Sequence, residues 1–187
     1  MDPRILRTRQ LLKNAFVELL QEMDMEKISV NRLTKQATIN RVTFYLHYRD
    51  IPDMLEKMAD EMIEDISTVI NKTPEGGKST EDVDLQLLIH LFEHIAKQAD
   101  FYKIILTKRV PIFRDRLLQF LKDVVVTRLK QVQSESYVRK AGVQKDILIW
   151  YISSALIGTI VIWLKKDMPY TPTYMAKQFM MLHHRGK

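Results

Sequence analysis

The 187 residues predict an all-α fold of about nine helices, and three observations carry that expectation. Glycine and proline are scarce, five and six residues, which suits long helices better than a turn-rich β fold. Apolar residues recur at three- and four-residue spacing along most of the chain. Cysteine is absent, so no disulfide can replace a packed core, and 46% hydrophobic residues are enough to build one.

Residues 4–23 read as an amphipathic helix, with Ile5, Leu12, Phe16, Leu19, Leu20 and Met23 grouped around Ala15. Pro3 stands at its start, where a missing N–H is no loss. Arg4, Arg7 and Arg9 cluster at the leading end, as solubilising charge or as a phosphate clamp. Ser29 is placed to cap a second helix over Val30–Ala37, and Asn40 a third from Arg41 to about His47. Thr38, Ile39 and Asn40 form the turn between them. A longer helix followed by two short ones across a three-residue turn is the spacing of a helix-turn-helix.

Asp50 opens a fourth helix that runs to about Asn71, with Met54, Leu55, Met58, Met62, Ile66 and Ile70 as its apolar positions. Lys72–Glu81, with Pro74, Gly76 and Gly77, is a loop. Residues 82–99 place Leu85, Leu88, Ile89, Phe92, Ala96 and Ala99 on one face. His90 and His94 are four apart on another side of that helix, but no third ligand or HExxH pattern joins them, so no metal and no cofactor is expected. A short helix over Phe101–Arg109 precedes one from Pro111 to about Gln133, striped by Phe113, Leu117, Phe120, Leu121, Val124 and Val125. Ser134–Ser136 reads as a turn, 140–166 as a long helix stopped by Met168-Pro169, and Thr173–His184 as the last helix.

The net charge of +6 is uneven. Residues 1–50 hold nine Lys/Arg against six Asp/Glu, and residues 51–100 hold four against twelve. Residues 101–150 reverse the sign, with eleven against four. Such a distribution suits a chain that meets nucleic acid with one part only.

The stretch ISVNRLTKQATINRVTFYLHYRD resembles the DNA-binding domain of TetR/AcrR-type bacterial regulators. The resemblance covers roughly residues 8–55, about a quarter of the chain, and Thr43-Phe44-Tyr45 with His47-Tyr48 makes it specific. Two positions depart from the family pattern. Thr38 stands where the family usually has Gly, and Ile51 where it usually has a phosphate-contacting Lys. A helix in a major groove meets base edges with its N-terminal side chains, here Arg41, Val42 and Thr43. Arg41 suits guanine O6 and N7, and Val42 a thymine methyl. As a helix N-terminal cation, Arg41 opposes the helix dipole, a small cost unless DNA uses it. The resemblance implies base contact for Asn31 and phosphate contacts for Ser29, Thr43, Tyr45, His47 and the first-helix arginines Arg4, Arg7 and Arg9. Phe44 reads as core and Tyr48 as a wedge between domains.

Ile147–Leu164 is 18 residues without a charge, just long enough to span a membrane. A helix apolar all round is also one buried in protein. Ser154, Ala155 and Gly158 would let a partner helix approach, and no membrane insertion is expected. The family forms its dimer through its last two helices, and the resemblance extends loosely to FYKIILTKRVPIF and YISSALIGTIVIWL. It implies a homodimer interface including Ser154, Ala155, Gly158, Ile162, Tyr174 and Phe179. One short reading helix covers few base pairs, so a dimer on a palindromic operator of double-stranded DNA is expected on physical grounds as well.

The family usually binds a small-molecule effector among its middle helices. Met58, Met62, Phe92, Phe101, Phe113, Phe120, Trp150 and Tyr151 are the candidate lining here, and any of them could equally be ordinary core. No paired carboxylates, nucleophile with base, or phosphate loop occur at a recognisable spacing, which speaks against an enzyme. No signal peptide is visible, and the lack of Cys suits a reducing, cytoplasmic setting. The expected organisation is therefore a helix-turn-helix domain over 1–50 and an effector-binding and dimerisation domain over 51–187. The expected function is that of a dimeric repressor released by an effector, with an activator or a protein-controlled regulator as the alternative.

Overall fold

The computed structural model describes residues 3–71, 79–108, 110–131 and 143–184. Among the described residues there are nine α-helices and no strand, as expected. They are α1 (Pro3–Glu22), α2 (Val30–Gln36), α3 (Arg41–His47), α4 (Ile51–Ile70), α5 (Thr80–Lys97), α6 (Ala99–Thr107), α7 (Pro111–Gln131), α8 (Lys145–Lys165) and α9 (Pro172–His184). A 3-10 turn, Met25–Lys27, follows α1. The chain packs as two compact units, Met1–Met62 with Asp100–Arg114, and Ile63–Ala99 with Asp115–Lys187.

The first unit is built on α1. Leu12, Ala15, Phe16, Leu19 and Leu20 are buried at i, i+3, i+4, i+7 and i+8, the stripe of a one-faced helix. Buried beside them in the unit are Leu33, Phe44, Met54, Met58, Met62, Phe101 and Phe113. Each such side chain contributes about 1.5–3 kcal/mol by leaving water. The Lys13 ammonium lies 3.9 Å from the centre of the Phe101 ring.

Three local caps set α2, α3 and α4. The Ser29 side chain accepts from the Arg32 N–H at 3.3 Å. Asn40 Oδ1 accepts from the Val42 N–H at 2.8 Å. Asp50 Oδ1 accepts from the Asp53 N–H at 2.8 Å. The turn after α2 is a Schellman motif. The Ile39 N–H reaches the Thr34 carbonyl at 3.0 Å and the Thr38 N–H that of Lys35 at 3.2 Å. The motif needs a left-handed residue, and Thr38 supplies it with φ 54°. That conformation costs a residue with a Cβ ~1–2 kcal/mol, more than the ~0.4–1 kcal/mol that extra unfolded-chain freedom costs a glycine. Thr38→Gly is therefore expected to stabilise the protein by up to about 1 kcal/mol. A urea titration checks this, and a lowered midpoint would show that surrounding contacts already absorb the strain.

In the second unit, a capping box opens α5. The Asp82 N–H donates to Ser79 Oγ, and the Ser79 N–H to Asp82 Oδ2. The helix accordingly starts at Thr80, two residues before the expected start. Its buried residues are Leu91, Phe92 and Ile95, so the inward face is rotated from the expected one; Leu85, Leu88, Ile89, Ala96 and Ala99 are only half-buried. The apolar side of this helix is wide, so periodicity does not fix which part of it lies innermost. Helix α9 packs along α5, and Arg128 Nε bonds Asp84 Oδ1 at 2.7 Å, tying α7 to α5.

Helix α8 buries Ile149, Ser153, Leu156, Ile157, Ile160, Val161, Trp163 and Leu164. By length and composition it could cross a membrane. Its one fully buried polar group, the Ser153 hydroxyl, donates to the Ile149 carbonyl at 2.7 Å. A second Schellman pattern ends the helix, with Met168 N–H on Trp163 O at 2.9 Å and Asp167 N–H on Leu164 O at 3.1 Å. Asp167 and Met168 both take positive φ, 55° and 52°. The Trp163 indole N–H holds the turn from inside by donating to the Tyr170 carbonyl at 3.0 Å. Helix α8 begins at Lys145, since residues 143 and 144 are not helical. Residues 140–142, the Ser134–Ser136 turn and most of the Lys72–Glu81 loop lie outside the described residues.

Candidate nucleic-acid interface

Helix α3 is seven residues long and two-sided. Phe44 is fully buried, its ring 5.6 Å from that of buried Tyr48 and edge-on to Tyr45 at 5.4 Å. The opposite side carries Arg41, Val42, Tyr45 and Leu46, all exposed, with Val42 66% and Leu46 77% open to solvent. Thr43 and His47 flank it, half-buried. Large apolar side chains left in water on a helix whose other side is locked into the core make a surface shaped for contact. Arg41 does not wave freely: it donates to the Tyr45 hydroxyl at 3.1 Å, its guanidinium 5.5 Å from the ring centre.

Asn31 and Ser29 are exposed at the start of α2, with Ser29 also serving as its cap. Arg4 and Arg7 are exposed on α1. Arg9, expected beside them as a phosphate holder, is instead turned into the unit, where it pairs with Glu61 at 2.8 Å and ties α1 to α4. A partner 52 positions away cannot be read from local spacing. Ile51, at the position of the family's lysine, is buried at the start of α4.

Beyond the end of α3 lies a polar cluster that the sequence did not reveal. The buried Asp53 carboxylate accepts from the Arg49 backbone N–H at 3.0 Å and from Lys57 Nζ at 2.9 Å. It also takes Arg49 Nε and Nη2, at 3.2 and 3.1 Å. The Arg49 N–H, then the Lys57 ammonium, and then the Arg49 guanidinium pull the Asp53 pKa down to about 2 against the cost of burial. Lys57 also donates to the His47 carbonyl at 3.2 Å, closing the end of α3. Burial, then the charges of Arg9 and Lys57, hold His47 below the ordinary histidine range, so it is a neutral N–H donor at pH 7. Tyr48 is pushed up to about 12, chiefly by burial and then by Glu61, and stays protonated.

The expected effector lining is divided by the packing. Met58, Met62, Phe101 and Phe113 belong to the first unit, and Phe92, Phe120, Trp150 and Tyr151 to the second. All four in the first unit and Phe92 are buried. Phe92 meets Trp163 edge-on at 5.4 Å. Phe120 lines a cleft of about 310 Å³ with Ile70, Val83, Leu87, Val124 and Arg128 among its walls. Trp150 and Tyr151 instead stand 58% exposed on α8. With Ile147, Ser154 and Ile162, also exposed, they form a continuous stripe along that helix. Gly158 and Ala155 sit within the stripe half-buried, and a Cβ added at Gly158 would meet nothing within 4 Å. Tyr174 is exposed on α9, but Phe179, expected on the same interface, is buried. Its helix lies along α5. Among the described residues no group of three or more His, Asp or Glu is placed to hold a metal.

A family model described as a transcriptional regulator C-terminal region, of the TetR type, matches residues 85–185. An uncharacterised HTH-type transcriptional regulator, YxbF of Bacillus subtilis (strain 168), is 22% identical over 185 residues, covering 96% of this chain. This chain spans only 45% of that relative's length. The nucleoid occlusion factor SlmA of Vibrio campbellii is 24% identical over 183 residues, covering 93% of this chain and 92% of that one. Among solved structures, the fatty acid degradation regulator FadR of Bacillus halodurans has a TM-score of 0.76 at 18% identity, covering 100% of this chain and 97% of that one. A TetR transcriptional regulator of Streptococcus agalactiae 2603V has a TM-score of 0.70 at 26% identity, covering 98% and 97%.

Proposed function

The chain belongs to the TetR family of transcriptional regulators, and from that premise we propose that it is a sequence-specific DNA-binding repressor, working as a homodimer on a palindromic operator and released by a small-molecule effector. Residues 1–50 are the reading part and 51–187 the effector-binding and dimerising part. The protein works in the cytoplasm, and α8 is an interface helix, not a membrane span. The observation that supports this best is the exposed side of α3, Arg41, Val42, Tyr45 and Leu46, set on a fully buried Phe44. Arg41, Val42 and Thr43 are the base readers, with Asn31 beside them. Ser29, Tyr45, His47, Arg4 and Arg7 hold phosphates and set register.

The reading is tested by a gel shift on the DNA upstream of the chain's own gene over a salt series, where phosphate contacts give a steep salt dependence. Arg41→Ala is expected to relax base preference at one position of each half-site by about 1–3 kcal/mol. Tyr45→Phe is expected to weaken all sequences alike. Selection from random DNA that returned an unchanged motif for Arg41→Ala would remove it from the readers. A reporter fused to the operator distinguishes repression from the alternative, activation or control by a protein partner.

A second reading is favoured by the relative named as a nucleoid occlusion factor, which is similar along nearly its whole length. In that reading the DNA-bound chain acts on the nucleoid and not at a promoter. Mapping its genomic sites separates the two: sites at promoters support the repressor, and sites away from promoters support the other.

A further inference from the structure

We propose that Arg49 is a phosphate contact at the C-terminal end of α3, aimed by Asp53 and backed by Lys57. The inference rests on the DNA-binding reading and adds a residue to it. Asp53 is buried, while 82% of the Arg49 side chain is exposed, so the ion pair does not bury the guanidinium. It engages the carboxylate through Nε and Nη2 on a single oxygen, which orients the group while leaving most of it in water. Nor does the carboxylate need that cation, because it already accepts from the Lys57 ammonium and the Arg49 N–H. Two cations therefore share the one buried carboxylate, while the Asp50 carboxylate is engaged separately with the Asp53 N–H.

The cluster stands where a backbone contact is needed. Helix α3 is about 10 Å long at ~1.5 Å per residue, and its N-terminal side chains are the ones that reach base edges in a major groove. Its other end, marked by the His47 carbonyl that Lys57 closes, therefore lies toward the groove rim and its phosphates. Burial first, then the charges of Arg9 and Lys57, also disfavour protonation of the neighbouring His47. Arginine held by a carboxylate reaches a phosphate with its fork already oriented, which lysine on a free stem does not offer.

The test is fluorescence anisotropy of the full chain on a short mixed-sequence duplex over a KCl series, with the melting temperature of each variant measured alongside. Arg49→Gln is expected to reduce the salt slope by about 1 per protomer and to weaken binding about tenfold per protomer near 0.1 M salt. Its melting temperature should be unchanged, since an exposed ion pair contributes little. Arg49→Lys is expected to keep the slope and recover most of the affinity. An unchanged slope for Arg49→Gln overturns the proposal, and a lowered melting temperature with it would make Arg49 a structural brace only. If the unaltered chain bound no duplex at all, the DNA-binding reading itself would fail, and Arg49 with it.

Discussion

Gly158→Glu is expected to give monomers in sedimentation and to weaken operator binding by about a hundredfold or more, the usual loss when two linked sites become one. The exposed stripe of α8 explains the size of the effect. Trp150, Tyr151 and Ile162 are each 58% exposed and Ile147 54%, which is costly for a helix this apolar unless something covers it. Gly158 sits within that stripe with open space where a side chain would project. In the single chain a substitution there meets no clash. A carboxylate placed at the centre of an apolar helix pair would be buried without a partner, and several kcal/mol oppose that. Gly158→Ala separates causes. It should favour the helix by about 1 kcal/mol on propensity alone, so a weaker dimer in that variant would come from lost close approach of the partner helix. An intact dimer for Gly158→Glu would place the interface elsewhere.

Phe44→Ala should cost about 3–5 kcal/mol, the range for deleting a buried aromatic ring. The side chain is fully buried on a helix of only seven residues, which has too few turns to be stable on its own. Without it α3 loses its main attachment, and DNA binding should disappear with the fold of the first unit. Leu46→Ala, two residues on but 77% exposed, is the matched control and should move stability by less than about 0.5 kcal/mol. A urea midpoint for Phe44→Ala near that of the unaltered chain would show that Tyr48 and the α2 contacts suffice to seat the helix.

What could be read from the sequence was local. Ser29, Asn40 and Asp50 cap their helices because a side-chain oxygen reaches an N–H two or three residues on, a geometry fixed by spacing alone. The one-faced patterns of α1 and α4 likewise decide which residues turn inward. The exposed side of α3 follows from these, except for Leu46, whose 77% exposure no local spacing marks. Interactions between distant or competing groups were not legible. Arg9 stands in sequence among the basic residues of α1, and its pairing with Glu61 of α4 depends on packing between the two helices. The Asp53 cluster has only ordinary i,i+4 spacing, and nothing in that spacing says that the carboxylate is buried and shared by two cations. In α8 apolar residues nearly encircle the helix, so periodicity could not mark Trp150 and Tyr151 as outward, and in α5 the apolar side is too wide for periodicity to single out inward Leu91 and Ile95.

The hydrogen bond from Arg41 to Tyr45 gives the free protein a resting posture. On the DNA-binding reading, every duplex must lift the guanidinium off the ring, at a cost of about 0.5–1 kcal/mol for an exposed cation–aromatic contact. A guanine, with two acceptors in line, returns more than that; other base edges return less. Arrival at DNA is not slowed, because the exchange follows contact. Departure is hastened from every site, by about two- to fivefold for that energy, and only where a guanine returns more than the cost is the loss made good. The pair would thus shorten dwell time on wrong sequences, so that a small internal contact on the reader helps it keep moving until it meets its operator.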